Sequence, residues 1–186
     1  KDISVLTEGS ENLMKLRFGL ISLMTAALLQ TSAMASVDYN IAKGLAPASA
    51  DQSISVLQSF RGDFRILGSK TYTDDEQAKF SPIDYAVSWG LFAHPNIASQ
   101  IKINQYDRYL NWKIAKLPVP AEQAMQMVSN MHIIPANPEI AQQIKQVKRG
   151  DLVYLKGDLV EIKDKDLVWK SSLTPTDTGD GACELF

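Results

Sequence analysis

The stretch RGDLVYLKGDLVEIKDKDLVWKSSLTPTDTGDGACELF, residues 149–186, carries the clearest fold signal in this chain. From Val153 to Ile162, apolar residues nearly alternate with charged ones, which is the period-2 pattern of a half-buried β-strand. Gly157 interrupts this pattern, and its missing Cβ permits a bulge or a tight coil at that point. The segment therefore predicts a strand pair or one bent strand.

The end of this stretch predicts a turn, a returning strand and a loop. The polar run DKD at 164–166 is a turn signal, and LVWKSSL at 167–173 has the composition of a strand. The run TPTDTGDGA at 174–182 is rich in threonine, aspartate and glycine, so it predicts a loop. Cys183 to Phe186 then indicates the first half of another strand, which we expect to be clipped at Phe186.

The N-terminal region has the composition of a secretory signal peptide. From Met14, MKLR is a short basic segment, FGLISLMTAALLQ is uncharged and apolar, and Ala33 and Ala35 form a small-residue cleavage site before Ser36. We expect residues 14–35 to be removed on export, because the apolar run is shorter than the roughly 20 residues that a membrane span needs. A retained membrane anchor is the alternative.

The position of the signal peptide divides the rest of the chain into three parts. Residues 1–13 precede Met14, and we expect them to be an upstream extension that is not native. Residues 36–53 are small and polar, so they predict a flexible leader. We expect one α+β domain over 54–186, located in the periplasm or secreted, without a membrane span after signal cleavage.

Composition narrows the classes of partner and cofactor. The 186 residues carry 19 Lys and Arg against 21 Asp and Glu, a net charge of −2, which argues against nucleic acid as a partner. Three consecutive acids, Asp74 to Glu76, cannot all face one metal ion from a regular element. We therefore expect no cofactor and no metal. The single cysteine, Cys183, cannot form an intramolecular disulfide, so stability must come from core packing.

Two local patterns in the first half of the domain suggest a hairpin and a helix. Between Ile54 and Tyr72, a glycine at the centre of the run predicts a β-hairpin that turns at 61–63. Ser81 and Pro82 suit the start of a helix, and the apolar spacing after them predicts a helix that ends at Gly90, with this glycine at positive φ.

The second half predicts a hairpin and two further helices. The expected elements are a hairpin over 101–115 turning at Asp107-Arg108, a helix from Pro120, a buried strand at 132–136 and a helix from Asn137 to Gly150. The expected fold class is α+β: a small bent antiparallel sheet, or a partly open OB-like barrel, with about three short helices.

His132, Asn130 and Cys183 form a candidate catalytic set. A thiol with a histidine partner and an orienting asparagine can make a nucleophilic site, even when the residues are distant in sequence. The acids close to the cysteine are Asp177, Asp180 and Glu184. The alternative is that Cys183 is a packed core thiol and His132 a structural histidine.

Four aromatic residues are candidate ligand-binding groups. Trp89 precedes a glycine, so its ring would lie beside a close backbone approach, either in the core or at the wall of a pocket. Tyr106, Tyr109 and Trp112 fall in the predicted hairpin and could form an aromatic binding surface. Core or cross-strand packing is the alternative for all four.

Five blocks resemble, in this order, a family of exported bacterial hypothetical proteins. The blocks are SPIDYAVSWG (81–90), YDRYLNWK (106–113), SNMHIIPAN (129–137), RGDLVYLKGDLVEI (149–162) and WKSSLTPTDTGDGACEL (169–185). The resemblance covers roughly Phe60 to Phe186, and the SPxDxAxxWG, NMHxIP and DTGxGACE patterns make it specific. It implies no activity and no role for any residue.

Two hypotheses for function follow. The first is a non-enzymatic binding or assembly module in the periplasm, whose partner is a peptide or another envelope protein. The alternative is an envelope hydrolase that uses His132 with Cys183 or a nearby acid. The sequence indicates no oligomeric state.

Overall fold

The computed structural model describes residues 4–6, 52–174 and 183–186. The strands are β1 (Ser4–Leu6), β2 (Gln52–Thr71), β3 (Ile83–Ser88), β4 (Lys102–Tyr106), β5 (Tyr109–Lys113), β6 (Val128–Ile133), β7 (Leu152–Asp164), β8 (Leu167–Lys170) and β9 (Glu184–Leu185). The α-helices are α1 (Pro95–Ala98), α2 (Ala121–Met125) and α3 (Pro138–Gln143), and a 3₁₀ helix covers Gly90–Ala93.

Several expectations fall on residues outside this description. They are the signal peptide at 14–35, nearly all of the upstream extension at 1–13 and the leader at 36–53, and the loop after Thr174. Ser4–Leu6 pairs with the start of β7 as a short antiparallel strand. The long strand β2 already begins at Gln52, two residues before the expected start of the domain.

The main sheet has the strand order β1-β7-β2-β3-β6-β9, with β8 paired to β7. Strands β4 and β5 form a separate two-stranded sheet. Every pair is antiparallel except β6 and β9, which run parallel, so the main sheet is mixed. The described strands leave the sheet open rather than closing a barrel. The predicted α+β class with three short α-helices is confirmed.

The hairpin predicted at 61–63 is wrong, because β2 runs through this segment without a break. It pairs with β7 from Gln52 to Arg65 and then with β3 up to Thr71. A Cβ added at Gly62 would lie 2.9 Å from Cζ of Phe64. The glycine therefore leaves space for an aromatic ring on a flat strand and does not mark a turn.

Gly157 has the same role in the partner strand. The prediction of one strand here is confirmed, since β7 is continuous from Leu152 to Asp164. Gly157 pairs in regular register with Phe60, and the register shift lies in β2, between Val56 and Gln58. A Cβ at Gly157 would lie 2.7 Å from Cζ of Phe186. The missing side chain thus makes room for the C-terminal phenylalanine ring.

The helix predicted after Ser81 is also wrong, because residues Ile83–Ser88 form a strand buried along its whole length. A central strand covered on both faces has a nearly continuous apolar run, which periodicity alone cannot distinguish from a buried helix. The predicted positive φ of Gly90 is confirmed at +56°. It turns the chain from β3 into the 3₁₀ helix.

We predict that replacing Gly90 with valine lowers the free energy of unfolding by about 1–2 kcal/mol, the cost of left-handed backbone for a residue with a Cβ. Steric contact adds little, because that Cβ would lie 3.4 Å from Sδ of Met127. Urea unfolding measures the change. Gly90→Asn is the matched control, since asparagine tolerates this conformation. Equal losses in the two variants would contradict backbone strain as the cause.

The turn and helix-start signals of the second half are confirmed, but two expected bounds are wrong. The strand expected at 132–136 lies at Val128–Ile133, because this segment pairs with β3 along its whole length, and the helix expected to reach Gly150 ends at Gln143. The β4–β5 hairpin turns at Asp107 and Arg108, which both have positive φ, as a two-residue type I′ turn requires. Helix α2 follows Pro120. Helix α3 begins at Pro138, where the side chain of Asn137 accepts a hydrogen bond of 2.8 Å from the Ile140 amide.

The main sheet is covered on both faces. One face packs under the α3 segment, where Ile140 and Ile144 meet Tyr85 of β3, and the tyrosine hydroxyl donates to the carbonyl oxygen of Ile144. The other face packs under the β4–β5 hairpin and the short helices, with Ile101 and Phe92 fully buried. The described helices are all too short and too polar to cross a membrane.

Candidate functional site

The register of β3 and β6 brings three polar side chains together on the hairpin-covered face. Asp84 lies opposite His132, and Ala86 lies opposite Asn130. Because alternate residues of a strand share a face, Asp84, Asn130 and His132 all point towards the β4–β5 hairpin. Their exposed fractions are 0%, 3% and 2%, so the set lies inside the protein.

Arg108 closes this cluster from the hairpin side. Its Nη1 donates to Oδ1 of Asp84 at 2.8 Å and to the Ser81 carbonyl oxygen at 2.9 Å. Its Nε and Nη2 bind the two carboxylate oxygens of Asp75 at 2.9 and 2.8 Å. The guanidinium also lies 3.8 Å from the ring centre of Tyr72. Four hydrogen bonds and one aromatic ring face thus fix the Arg108 side chain. The tight turn of the hairpin directs this side chain back onto the sheet.

Two neighbours of Arg108 have shifted pKa values. Partial burial alone would raise the pKa of Asp75, but the hydrogen bonds and charge of Arg108 outweigh it, so this pKa is lowered. Burial raises the pKa of the Tyr72 phenol, and the charge of Asp84 raises it further. At neutral pH the cluster therefore contains an ionised Asp75 and a protonated Tyr72.

Asn130 and His132 complete the contacts of Asp84. Nδ2 of Asn130 donates to Oδ2 of Asp84 at 3.3 Å and to the Arg108 carbonyl oxygen at 3.0 Å, and its Oδ1 accepts from Gln105 at 2.9 Å. Nδ1 of His132 lies 2.9 Å from Oδ1 of Asp84, but the pair is not aligned as a hydrogen bond. The two atoms are therefore close together, but His132 does not donate a hydrogen bond to the Asp84 carboxylate.

Cys183 lies beside this cluster with its thiol directed at the hairpin turn. Its Sγ is 3.8 Å from the carbonyl oxygen of Arg108, a weak hydrogen bond. Burial raises the pKa of Cys183 to about 12, and the negative charges of Glu184 and Asp84 add to the effect. Since only a thiolate is a strong nucleophile, the group is unreactive at neutral pH.

The structure brings the catalytic candidates together, with His132 and Asn130 buried and Cys183 partly exposed. The acid among them is Asp84, whereas Glu184 binds Ser129 on the opposite face of the sheet. Asp177 and Asp180 lie outside the described residues. Sequence reasoning missed Asp84, although one charged residue in the run Ile83–Ser88 is a detectable signal once that run is interpreted as a buried strand.

Trp89 lies at a cleft on the opposite face of the sheet. Its ring meets Phe64 edge-on at 5.9 Å, Phe64 stacks on Phe60 at 5.7 Å, and Phe60 meets Phe186 edge-on at 5.7 Å. The cleft has a volume of about 420 Å³. Its lining residues are Gln58, Phe60, Arg61, Gly62, Asp63, Phe64, Trp89, Met131, Leu159, Ser172, Leu173, Thr174 and Glu184.

The hairpin aromatics divide between its two faces. Tyr106 and Tyr109 are paired across the strands on the outer face, with ring centres 6.1 Å apart and exposed fractions of 39% and 42%. Trp112 instead faces the sheet and packs edge-on against Phe92 at 5.8 Å. An aromatic surface of all three rings is therefore not formed. In the described ranges, no group of three His, Cys, Asp or Glu side chains is arranged to hold a metal ion.

Fold and cleft together define a small α+β domain with an open, mixed sheet and an aromatic-walled cleft. Comparison of the chain with protein-family models, curated proteins and solved structures found no match.

Proposed function

We propose that this protein is a non-enzymatic binding module whose ligand site is the cleft beside Trp89. The observation that carries the proposal is the row of three contacting rings that line this cleft, Trp89, Phe64 and Phe60, with Phe186 packed against Phe60. A volume of about 420 Å³ with aromatic walls and a few polar groups is typical of ligand pockets. Of these rings, Phe60 and Trp89 are only partly buried and supply apolar area for a ligand.

The proposed ligand is a peptide or a protein segment that inserts an apolar side chain between the rings. The proposed contact is made by the ligand side chain; along the cleft β2 pairs with β7, and its pairing with β3 begins only at Arg65. Side-chain insertion suits a cleft in which Met131 and Leu159 complete the apolar lining. With the signal peptide expected at 14–35, the partner would be a protein of the cell envelope.

The hydrolase alternative has less support. It draws on the proximity of His132, Asn130 and Cys183, which share the Asp84 and Arg108 contacts. However, the histidine is 2% exposed and the pKa of the thiol is about 12, so a substrate would find neither access nor a nucleophile.

We expect a protein whose only tryptophan is Trp89, made by the changes Trp112→Phe and Trp169→Phe, to report ligand entry by fluorescence. Titration with acetyl-glycyl-X-glycine amides, in which X is phenylalanine, leucine or methionine, should give a saturable shift in emission. Burial of such a side chain is worth about 1.5–3 kcal/mol, so the peptide with X as glycine should bind at least about tenfold more weakly.

The matched control retains only Trp112, which lies on the other side of the sheet, through the changes Trp89→Phe and Trp169→Phe. Its emission should not respond to the same peptides. Responses in both proteins, or in neither, would overturn the assignment of the ligand site to this cleft.

A further inference from the structure

Arg65 is a buried cation on the face of β2 opposite the cleft. It directly follows Phe64, and successive residues of a strand point to opposite faces. The residue is 8% exposed. Its Nε donates to the Ala93 carbonyl oxygen at 2.9 Å and its Nη1 to the Gly150 carbonyl oxygen at 2.8 Å. These two bonds use two of the five N–H donors that a guanidinium carries.

Arg149 brings a second guanidinium to the same place. Its Nη1 donates to the carbonyl oxygen of Leu67, and its Nη2 to those of Ile101 at 2.7 Å and Ala98 at 3.4 Å. Both arginines line one cavity of about 300 Å³. The other lining residues are Ile66, Pro95, Ala98, Ser99 and Gly150.

The charge at this cavity is not balanced by protein groups. Among the described residues, no carboxylate lies within 4.0 Å of either guanidinium, in contrast to Arg108, which pairs with two. The neighbouring Asp151 carboxylate instead accepts a hydrogen bond from the Lys148 amide at 2.8 Å. Carbonyl oxygens satisfy donors but carry no net charge, and burial of an unpaired cation is costly for Arg65, whereas Arg149 is an exposed residue that adds a second positive charge at the mouth of the cavity. The cavity therefore favours a negatively charged occupant.

We propose that the cavity between Arg65 and Arg149 binds a small tetrahedral oxyanion of the phosphate or sulfate class. The planar guanidinium presents parallel N–H groups that match two oxygens of such an anion. Ser99 also lies at the cavity wall, where its hydroxyl donates to the Asn96 carbonyl oxygen at 3.4 Å. This site goes beyond the proposed peptide cleft and does not depend on it, because the two lie on opposite faces of β2.

The test is a titration of the full chain with inorganic phosphate at constant ionic strength, followed by the arginine Nε–Hε signals in ¹H–¹⁵N spectra. We expect the Arg65 signal to shift saturably, sulfate to compete, and acetate to bind at least about tenfold more weakly. Arg149→Gln should weaken phosphate binding at least about tenfold, since it removes one of the two positive charges at the cavity.

Lys148→Gln is the matched control, because it changes the net charge equally at the adjacent exposed position. It should leave the affinity within about twofold. Arg149→Lys keeps the positive charge but lacks the planar guanidinium, so we expect an intermediate affinity. This variant provides the test if the glutamine variant folds poorly. Equal weakening in the Lys148 and Arg149 variants, acetate as tight as phosphate, or no saturable shift would each overturn the proposal.

Discussion

Replacement of Arg108 by methionine is expected to lower the free energy of unfolding by about 3–5 kcal/mol, the usual cost of removing one partner of a buried ion pair. The side chains of Arg108 and Asp84 are 9% and 0% exposed, and Nη1 lies 2.8 Å from Oδ1. Methionine keeps the unbranched apolar stem of the side chain but leaves the carboxylate without its strongest partner. Urea unfolding measures the loss.

Two further variants separate charge burial from lost packing. Arg108→Met combined with Asp84→Asn should recover part of the stability, because no uncompensated carboxylate remains inside. Asp75→Asn should cost at most about 1 kcal/mol, since the Asp75 side chain is 37% exposed and its pair is screened by water. A loss below about 1 kcal/mol in the single Arg108 variant would contradict a stabilising role for the cluster.

Cys183 is expected to react with iodoacetamide about 1000-fold more slowly in the native protein than in denaturant at pH 7.5. The pKa of about 12 against the ordinary 9.0 lowers the thiolate fraction by three powers of ten at any pH below 9. Mass spectrometry of quenched samples gives both rates, and glutathione in the same buffers corrects for the effect of denaturant on the reagent.

The same pKa shift predicts how stability changes with pH. Because the folded state raises the pKa of Cys183, its contribution to stability is complete below pH 9 and is lost as the pH rises towards 12. The native alkylation rate should accordingly rise about tenfold per pH unit above 7.5 until the protein unfolds. Similar rates in native and denatured protein would remove the buried-thiol interpretation and favour the hydrolase alternative.

The elements that sequence predicted correctly are those with a local chemical cause. The cap residue Asn137 and Pro138 in the first turn are sufficient to predict the start of helix α3. Alternating residues around Asp107 and Arg108 are sufficient to predict the β4–β5 hairpin. The strand over Leu152–Asp164 followed from its alternation in the same way. Each of these signals lies within a few residues of the structure that it specifies.

Two of the wrong assignments, the turn at Gly62 and the helix after Ser81, share a non-local cause. Gly62 suggested a turn, but it is glycine because the Phe64 ring packs over it. Residues Ile83–Ser88 matched helical spacing, but burial on both faces makes them a central strand. The segment around Gly62 is a strand because it pairs with β7, and Ile83–Ser88 is a strand because it pairs with β2 and β6; these partners are distant in sequence, so local pattern cannot supply them.

The candidate site shows the same division. His132, Asn130 and Cys183 could be nominated from residue type, and the structure does bring them close. Asp84 joins them only because β3 and β6 pair in one particular register. Arg108 covers the cluster only because the hairpin folds back over the sheet. The charge of Arg65 favours an anion only because Arg149 lies beside it. Such contacts become visible only once the strands are paired.

The two bulges of β2 have a consequence for how this chain can change length. They lie between Val56 and Gln58 and between Ile66 and Gly68, so the segment between them is a ribbon with strict alternation. Phe64 points to the cleft and Arg65 to the second cavity. One inserted or deleted residue in this ribbon would exchange the faces of all later side chains up to the second bulge, placing charge among the rings and rings among the cations. Both cavities are therefore preserved only when the length of this segment changes by an even number of residues.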